Sequence, residues 1–104
     1  MKVNVSFRPQ AEADLIGLYD YIAAEAGHAV AGGYIDRIEA ACMALATFPK
    51  RGMSRDDIRR GLRTICFERR ATIIFQVSDT EVVIVRVLFG GRDSDSALHG
   101  LRNE

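Results

Sequence analysis

Apolar positions concentrate in the second half of the chain, where Leu62–Phe67, Ala71–Val77 and Val82–Phe89 form three runs separated only by Glu68-Arg69-Arg70 and Ser78-Asp79-Thr80-Glu81. Each run is rich in β-branched and aromatic residues and too short for a typical helix, which predicts strands. Connections this short join only antiparallel neighbours, so the three form a meander. In the last run strict alternation puts Val83, Val85, Val87 and Phe89 on one face and Val82, Ile84 and Leu88 on the other, with Arg86 the exception. A strand apolar on both faces is expected inside the sheet and covered on both sides. The first half of the chain is the expected cover.

That half opens with Val3, Val5 and Phe7 alternating with polar residues, a short strand with one buried face. Pro9 fixes φ and lacks an N–H, which suits the first turn of a helix. Leu15, Leu18, Tyr19 and Ile22 then recur at helical spacing until Gly27, a natural stop. Ala31, Tyr34, Ile35, Ile38, Ala41, Cys42 and Leu45 predict a second helix ending near Phe48, since Pro49 disfavours helical geometry at the residue before it. Two helices so closely joined pack as an antiparallel hairpin. Residues 49–61 are non-periodic, with Ser54 placed to cap a single helical turn through Asp57. Residues 1–93 read as one domain, and the weakly patterned residues 94–104 as a mobile tail or one that orders against a partner.

Composition changes this picture little. At 104 residues, 48% hydrophobic and 27% charged, the chain is ordinary for one globular domain with a core of its own. Cys42 and Cys66 lie singly within apolar runs, which predicts two buried free thiols over a disulfide or metal site. No apolar stretch reaches the roughly 18 residues of a membrane span, and no signal-peptide pattern opens the chain, so the default location is the cytoplasm. The net charge is zero but unevenly spread. Residues 10–40 carry six acids against Arg37, and residues 50–70 carry eight bases against Asp56, Asp57 and Glu68. An acidic helical side and a basic side follow.

Candidate chemistry is sparse. His28 and His99 have no ligand-spaced partners, so neither a metal nor another cofactor is expected. Asp56-Asp57 beside arginines reads as ion-pair partners before a catalytic dyad, and Gly90-Gly91 lacks the pattern of a phosphate loop. The arginine-rich segment has two readings: an anion-binding surface, or a solvated face that balances the acidic helices. Sequence-specific DNA binding by this chain alone is not expected, since the net charge is zero and no recognition-helix or zinc-finger pattern occurs.

Five local signatures lie in order along the chain: Phe7-Arg8-Pro9-Gln10-Ala11-Glu12-Ala13-Asp14-Leu15, Tyr19-Asp20-Tyr21-Ile22, Phe48-Pro49 with Gly52, Gly61-Leu62-Arg63, and Val85-Arg86-Val87-Leu88-Phe89-Gly90-Gly91-Arg92-Asp93. Together, over about residues 3–93, they resemble the ParE branch of the RelE/ParE superfamily, the toxins of plasmid-stabilisation and chromosomal toxin–antitoxin modules. The resemblance implies an α+β fold with the first strand beside the last, the hairpin on one sheet face and the other face partly open. It also implies a cognate ParD-like antitoxin, a ribbon-helix-helix protein whose C-terminal helix wraps the toxin. ParE-type members typically act on DNA gyrase, whereas RelE-type members cut mRNA on the ribosome.

The residues favour the first activity. RNA cleavage needs groups that take and give protons. Here Tyr19, Tyr21 and Tyr34 all lie in the helices, and where many superfamily members read valine-leucine-histidine-glycine-arginine-arginine-aspartate, this chain has Phe89 for the histidine and Gly91 for an arginine. Arginine is no general base at neutral pH, so Arg63 or Arg92 does not replace them. The expectation is therefore a binding toxin without catalytic residues, touching its target through Arg63, Phe89 and Arg92. Arg55, Arg59 and Arg63 are expected to meet acidic antitoxin side chains, while apolar anchors of the antitoxin helix fill the hairpin–sheet crease. The alternatives are a RelE-type mRNA endonuclease and a non-toxic interaction module on the same fold.

Overall fold

Pro9 opens the first helix as expected, because its missing N–H has no intrahelical partner to lose there. The computed structural model describes residues 3–90 and 94–102, the side chains of 94 and 95 excepted. Helix α1 spans Pro9–Ala26 and α2 spans His28–Ala44. Gly27 joins them at φ 95°, a conformation that L side chains avoid, and its N–H closes on the Ala23 carbonyl. Across this one-residue joint the helices fold back on one another as a hairpin and share one core.

Five strands form one sheet: β1 Asn4–Phe7, β2 Met53–Ser54, β3 Leu62–Phe67, β4 Ala71–Val77 and β5 Glu81–Phe89, in the order β1-β5-β4-β3-β2. The meander β3–β4–β5 is antiparallel, and β1 lies parallel to β5, so the sheet is mixed. The two-faced strand β5 does sit inside the sheet, between β1 and β4. Its faces differ from strict alternation, however. Ile74 pairs with Arg86 but the next residue, Phe75, pairs with Ile84, so Val85 is an extra residue at a β-bulge. Val82 and Ile84 before the bulge, and Val87 and Phe89 after it, all pack on the hairpin side, while Val85 and Leu88 pack on the other.

The hairpin side holds the larger core, built from Leu18 and Ile22 of α1, Tyr34, Ile38 and Cys42 of α2, and Ile73, Phe75 and Ile84 of the sheet. The opposite face is not left open. Helix α3, Ser94–Arg102, lays Leu98 and Leu101 against Ile74, Val85 and Leu88, with Ile58 and Leu62 completing a second core. The expected mobile tail is thus corrected over 94–102. Three apolar residues, Ala97, Leu98 and Leu101, are too few to announce a helix by periodicity, and α3 is read from the exposed sheet face that it covers.

The segment between the hairpin and the meander differs too. Ser54 caps no helical turn: Met53 and Ser54 form β2 and pair with Thr64 and Arg63. The turn begins at Arg55, whose carbonyl accepts from Ile58 and Arg59 N–H, and Asp56 closes the segment by accepting from Gly61 N–H at 2.8 Å. Both cysteines are free, but only Cys42 is buried; Cys66 is exposed on β3. Its side chain points away from the hairpin, next to Ile65 and Phe67, which face it.

Candidate partner-binding surface

Arg63 leaves β3 toward the preceding loop, where its Nε donates to the Arg51 carbonyl at 2.8 Å and its Nη2 to those of Lys50 and Gly52 at 3.1 and 3.2 Å. This clamp fits tightly, since a Cβ on Gly52 would stand 2.1 Å from the Thr64 carbonyl oxygen. Arg55 grips Asp57 with two bonds of 3.1 Å, which hold the Asp57 carboxyl below its usual range. Arg59 donates to the Leu101 carbonyl at 2.9 Å and to Gln76 at 3.4 Å, pinning the end of α3 to the sheet. The arginines that the sequence marks for an antitoxin are therefore each held by internal partners, Arg63 by the carbonyls of residues 50–52, Arg55 by Asp57 and Arg59 by the end of α3.

Phe89 ends β5 at a distance from them. It lies opposite Ala71, as Phe67 does, whereas Arg63 lies opposite Phe75, so Arg63 and Phe89 occupy opposite ends of the meander. The expected target contact through Arg63, Phe89 and Arg92 is not one cluster as far as the described residues extend, and Arg92 lies outside them. The Phe89 ring meets Tyr21 and Tyr34 edge-on, each at 5.8 Å.

Around that aromatic group the structure assembles a site that the sequence does not announce. A cleft of about 510 Å³ opens between α1, α2 and the β3–β4 turn, its walls including Tyr21, Ile22, Val30, Tyr34, Arg70 and Phe89. Tyr34 is only 6% exposed, and its hydroxyl has no hydrogen-bond partner among the described residues. Leaving a buried polar group unpaired costs about 1–3 kcal/mol. Burial, then the charge of Glu68, push the Tyr34 pKa up, so at neutral pH it is a phenol able to donate. Arg37 stacks over its ring at 5.4 Å and makes a two-bond pair with Glu68, at 2.9 and 3.2 Å. That pair holds the Glu68 carboxyl below its ordinary value. Glu68 and Arg69 both have positive φ, 49° and 60°, in a turn closed from Arg70 N–H to the Phe67 carbonyl. The available sequence signals were a three-residue hairpin connection, Glu68-Arg69-Arg70, without Asn or Gly, and a Tyr–Arg pair one helical turn apart.

A second groove, of about 410 Å³, runs between α1 and the end of β5, past the point where β1 stops opposite Ile84. Asp14 spans it, accepting from Arg86 Nε and Nη2 at 2.8 and 3.0 Å and from the Val87 N–H at 2.9 Å. Arg86 is thus polar because it fastens the hairpin to the sheet, and Asp14 satisfies a strand-edge donor that β1 is too short to reach. At the hairpin joint the Tyr19 hydroxyl and His28 Nδ1 lie 3.1 Å apart. Among the described residues no group of three or more potential ligands is placed to hold a metal, and no helix is long and apolar enough to cross a membrane.

Comparison with known proteins bears on this geometry. A family model described as the ParE toxin of the type II toxin–antitoxin system parDE matches residues 5–94. Toxin ParE3 of Caulobacter vibrioides is 32% identical over 77 residues, covering 74% of this chain and 76% of that protein. A chain of the chromosomal ParDE system from P. aeruginosa superposes with a TM-score of 0.73 at 24% identity, over 86% of this chain and 97% of its own length. The RelBE2 toxin–antitoxin complex of Mycobacterium tuberculosis gives 0.57 at 23%, over 86% and 92%. At those identities the two structures show the shared fold.

Proposed function

The chain belongs to the ParE toxin family of type II toxin–antitoxin systems, and on that premise we propose that it arrests growth by binding DNA gyrase and is silenced by a cognate antitoxin. The observation that favours binding over RNA cleavage is Phe89. At the sheet position where many superfamily members carry a histidine, this side chain is an apolar ring packed between Tyr21 and Tyr34. Such a residue contributes contact area and shape, and it moves no proton. Phe89, and Arg92 three residues on in the sequence, are accordingly the residues proposed to face the target. A gyrase-directed toxin works in the cytoplasm.

For the antitoxin we take the reading that Arg55, Arg59 and Arg63 supply basic contacts, each held in position by its internal bonds. Charge reversal there loosens the fold as well as the interface, so affinity is read beside a melting curve. The deciding experiment combines the antitoxin-free chain with gyrase, ATP and relaxed plasmid. Loss of supercoiling or trapped linear DNA, relieved by the antitoxin, is expected. Full gyrase activity at excess folded chain sinks the gyrase reading, and translation-dependent mRNA cuts in its place would indicate the endonuclease.

A further inference from the structure

The cleft around Tyr34 carries more than its aromatic walls. Arg37 is spoken for by Glu68, but Arg70, exposed at the mouth, makes no side-chain hydrogen bond with a described residue, while Tyr34 and Glu68 both feel its charge. The polar end of the cleft therefore offers one buried phenolic donor and one open guanidinium. The other end is apolar and wet: Tyr21 and Val30 are 57% and 54% exposed, and Ile22 and Phe89 lie beside them. With Glu25 and Glu68 also on its walls, the cleft has no net charge to attract a polyanion such as nucleic acid. A single carboxylate next to an apolar side chain matches it: the carboxylate takes the Arg70 guanidinium and the Tyr34 O–H, and the apolar group covers Tyr21 and Val30.

Resting on the reading of the chain as an antitoxin-controlled toxin, we infer that this cleft anchors the antitoxin through one acidic–apolar segment, with Arg70 and Tyr34 as its polar contacts. The segment needs its carboxylate and its apolar side chain within one helical turn of each other, since both must enter the same cleft. The Tyr34 hydroxyl is buried in the free chain, so contact with it requires neighbouring side chains of the cleft to move, and the Arg37–Glu68 pair there is exposed, at 55% and 41%. The β3–β4 turn places Arg70 at the mouth: its N–H donates to the Phe67 carbonyl and its carbonyl accepts from Gly90 N–H, after two residues in left-handed geometry.

The test uses the full chain and the purified antitoxin encoded with it, with affinity by calorimetry and stability by thermal melting. Tyr34→Phe removes only the unpaired oxygen, so the free chain is expected to melt at the same temperature or higher while antitoxin affinity falls roughly tenfold. Arg70→Ala is expected to leave melting unchanged, to weaken binding about tenfold and to flatten its salt dependence. A purely structural Tyr34 would move the melting curve and leave affinity alone. Wild-type affinity in both variants overturns the site and leaves the toxin reading standing. If the wild-type chain itself does not bind the antitoxin, the antitoxin reading falls and the site falls with it.

Discussion

Glu68 and Arg69 occupy left-handed backbone geometry, at φ 49° and 60°, in a tight hairpin turn that Asn-Gly would adopt without strain. Replacing them, Glu68→Asn with Arg69→Gly, is expected to stabilise the fold by about 1–2 kcal/mol, since each relieved residue outweighs the small loss of an exposed ion pair. Chemical denaturation checks this, and no gain would mean that the Arg37–Glu68 pair matters more than the strain. Asp14 is the opposite case. Its carboxylate serves Arg86 and the Val87 N–H together, and it is largely buried. Asp14→Ala is expected to cost about 2–4 kcal/mol, because a charged group and a strand-edge donor both lose their partner. A midpoint in urea unchanged from wild type would show that water replaces the carboxylate. Acid acts on Glu68 and Asp57 in a defined direction. Both carboxyls are held below their unfolded values of 4.5 and 3.8, so their contribution is present above those values and disappears as the pH falls through the lower folded ones.

Among the elements, α3 shows most directly how sequence and structure part. The hairpin, the meander and the strand beside its last member were legible because each carries enough apolar residues for its period to show: Leu18 and Ile22, Tyr34 and Ile38, Ile73 and Phe75 all lie where the spacing puts them. The β-bulge at Val85 was not, because both readings of β5 are apolar and only pairing with β4 decides between them. Nor was α3, whose two leucines acquire meaning only from the sheet face beneath them. The site followed the same division. Phe89 was visible as a departure from a motif, whereas the Tyr34 cleft depends on residues from α1, α2 and the β3–β4 turn that no local pattern connects. If α3 is a structural member of the second core, Leu101→Ala is expected to cost about 2–5 kcal/mol, as in other cores. Deleting residues 94–104 is expected to expose Val85 and Leu88 and to produce dye-binding, aggregation-prone protein. A monomeric chain with unchanged stability after that deletion would show that α3 is dispensable to the fold.

At the scale of the whole molecule, two ion pairs tie the helical layer to the sheet, Asp14 of α1 to Arg86 of β5 and Arg37 of α2 to Glu68 of the β3–β4 turn. Between them lies a core shared by both helices and the meander. The shared core and the largely buried Asp14–Arg86 pair hold the hairpin to the sheet, while the exposed Arg37–Glu68 pair adds little, so the hairpin is expected to detach only as the sheet unfolds. The two cysteines test this cooperativity. Cys66 is exposed and is expected to react with a thiol reagent at the rate of an ordinary surface cysteine. Cys42 is fully buried in the shared core, and its burial pushes the thiol pKa up to about 12, so it is shielded from the reagent and deprived of thiolate at once. Labelling of Cys42 therefore waits for the core to open. If the core opens only with the whole molecule, the labelling rate rises with urea along the same slope as global unfolding, because the same surface is exposed. A shallow slope would mean that the hairpin lifts from the sheet on its own, and the surface it uncovers would then be open to a partner without complete unfolding.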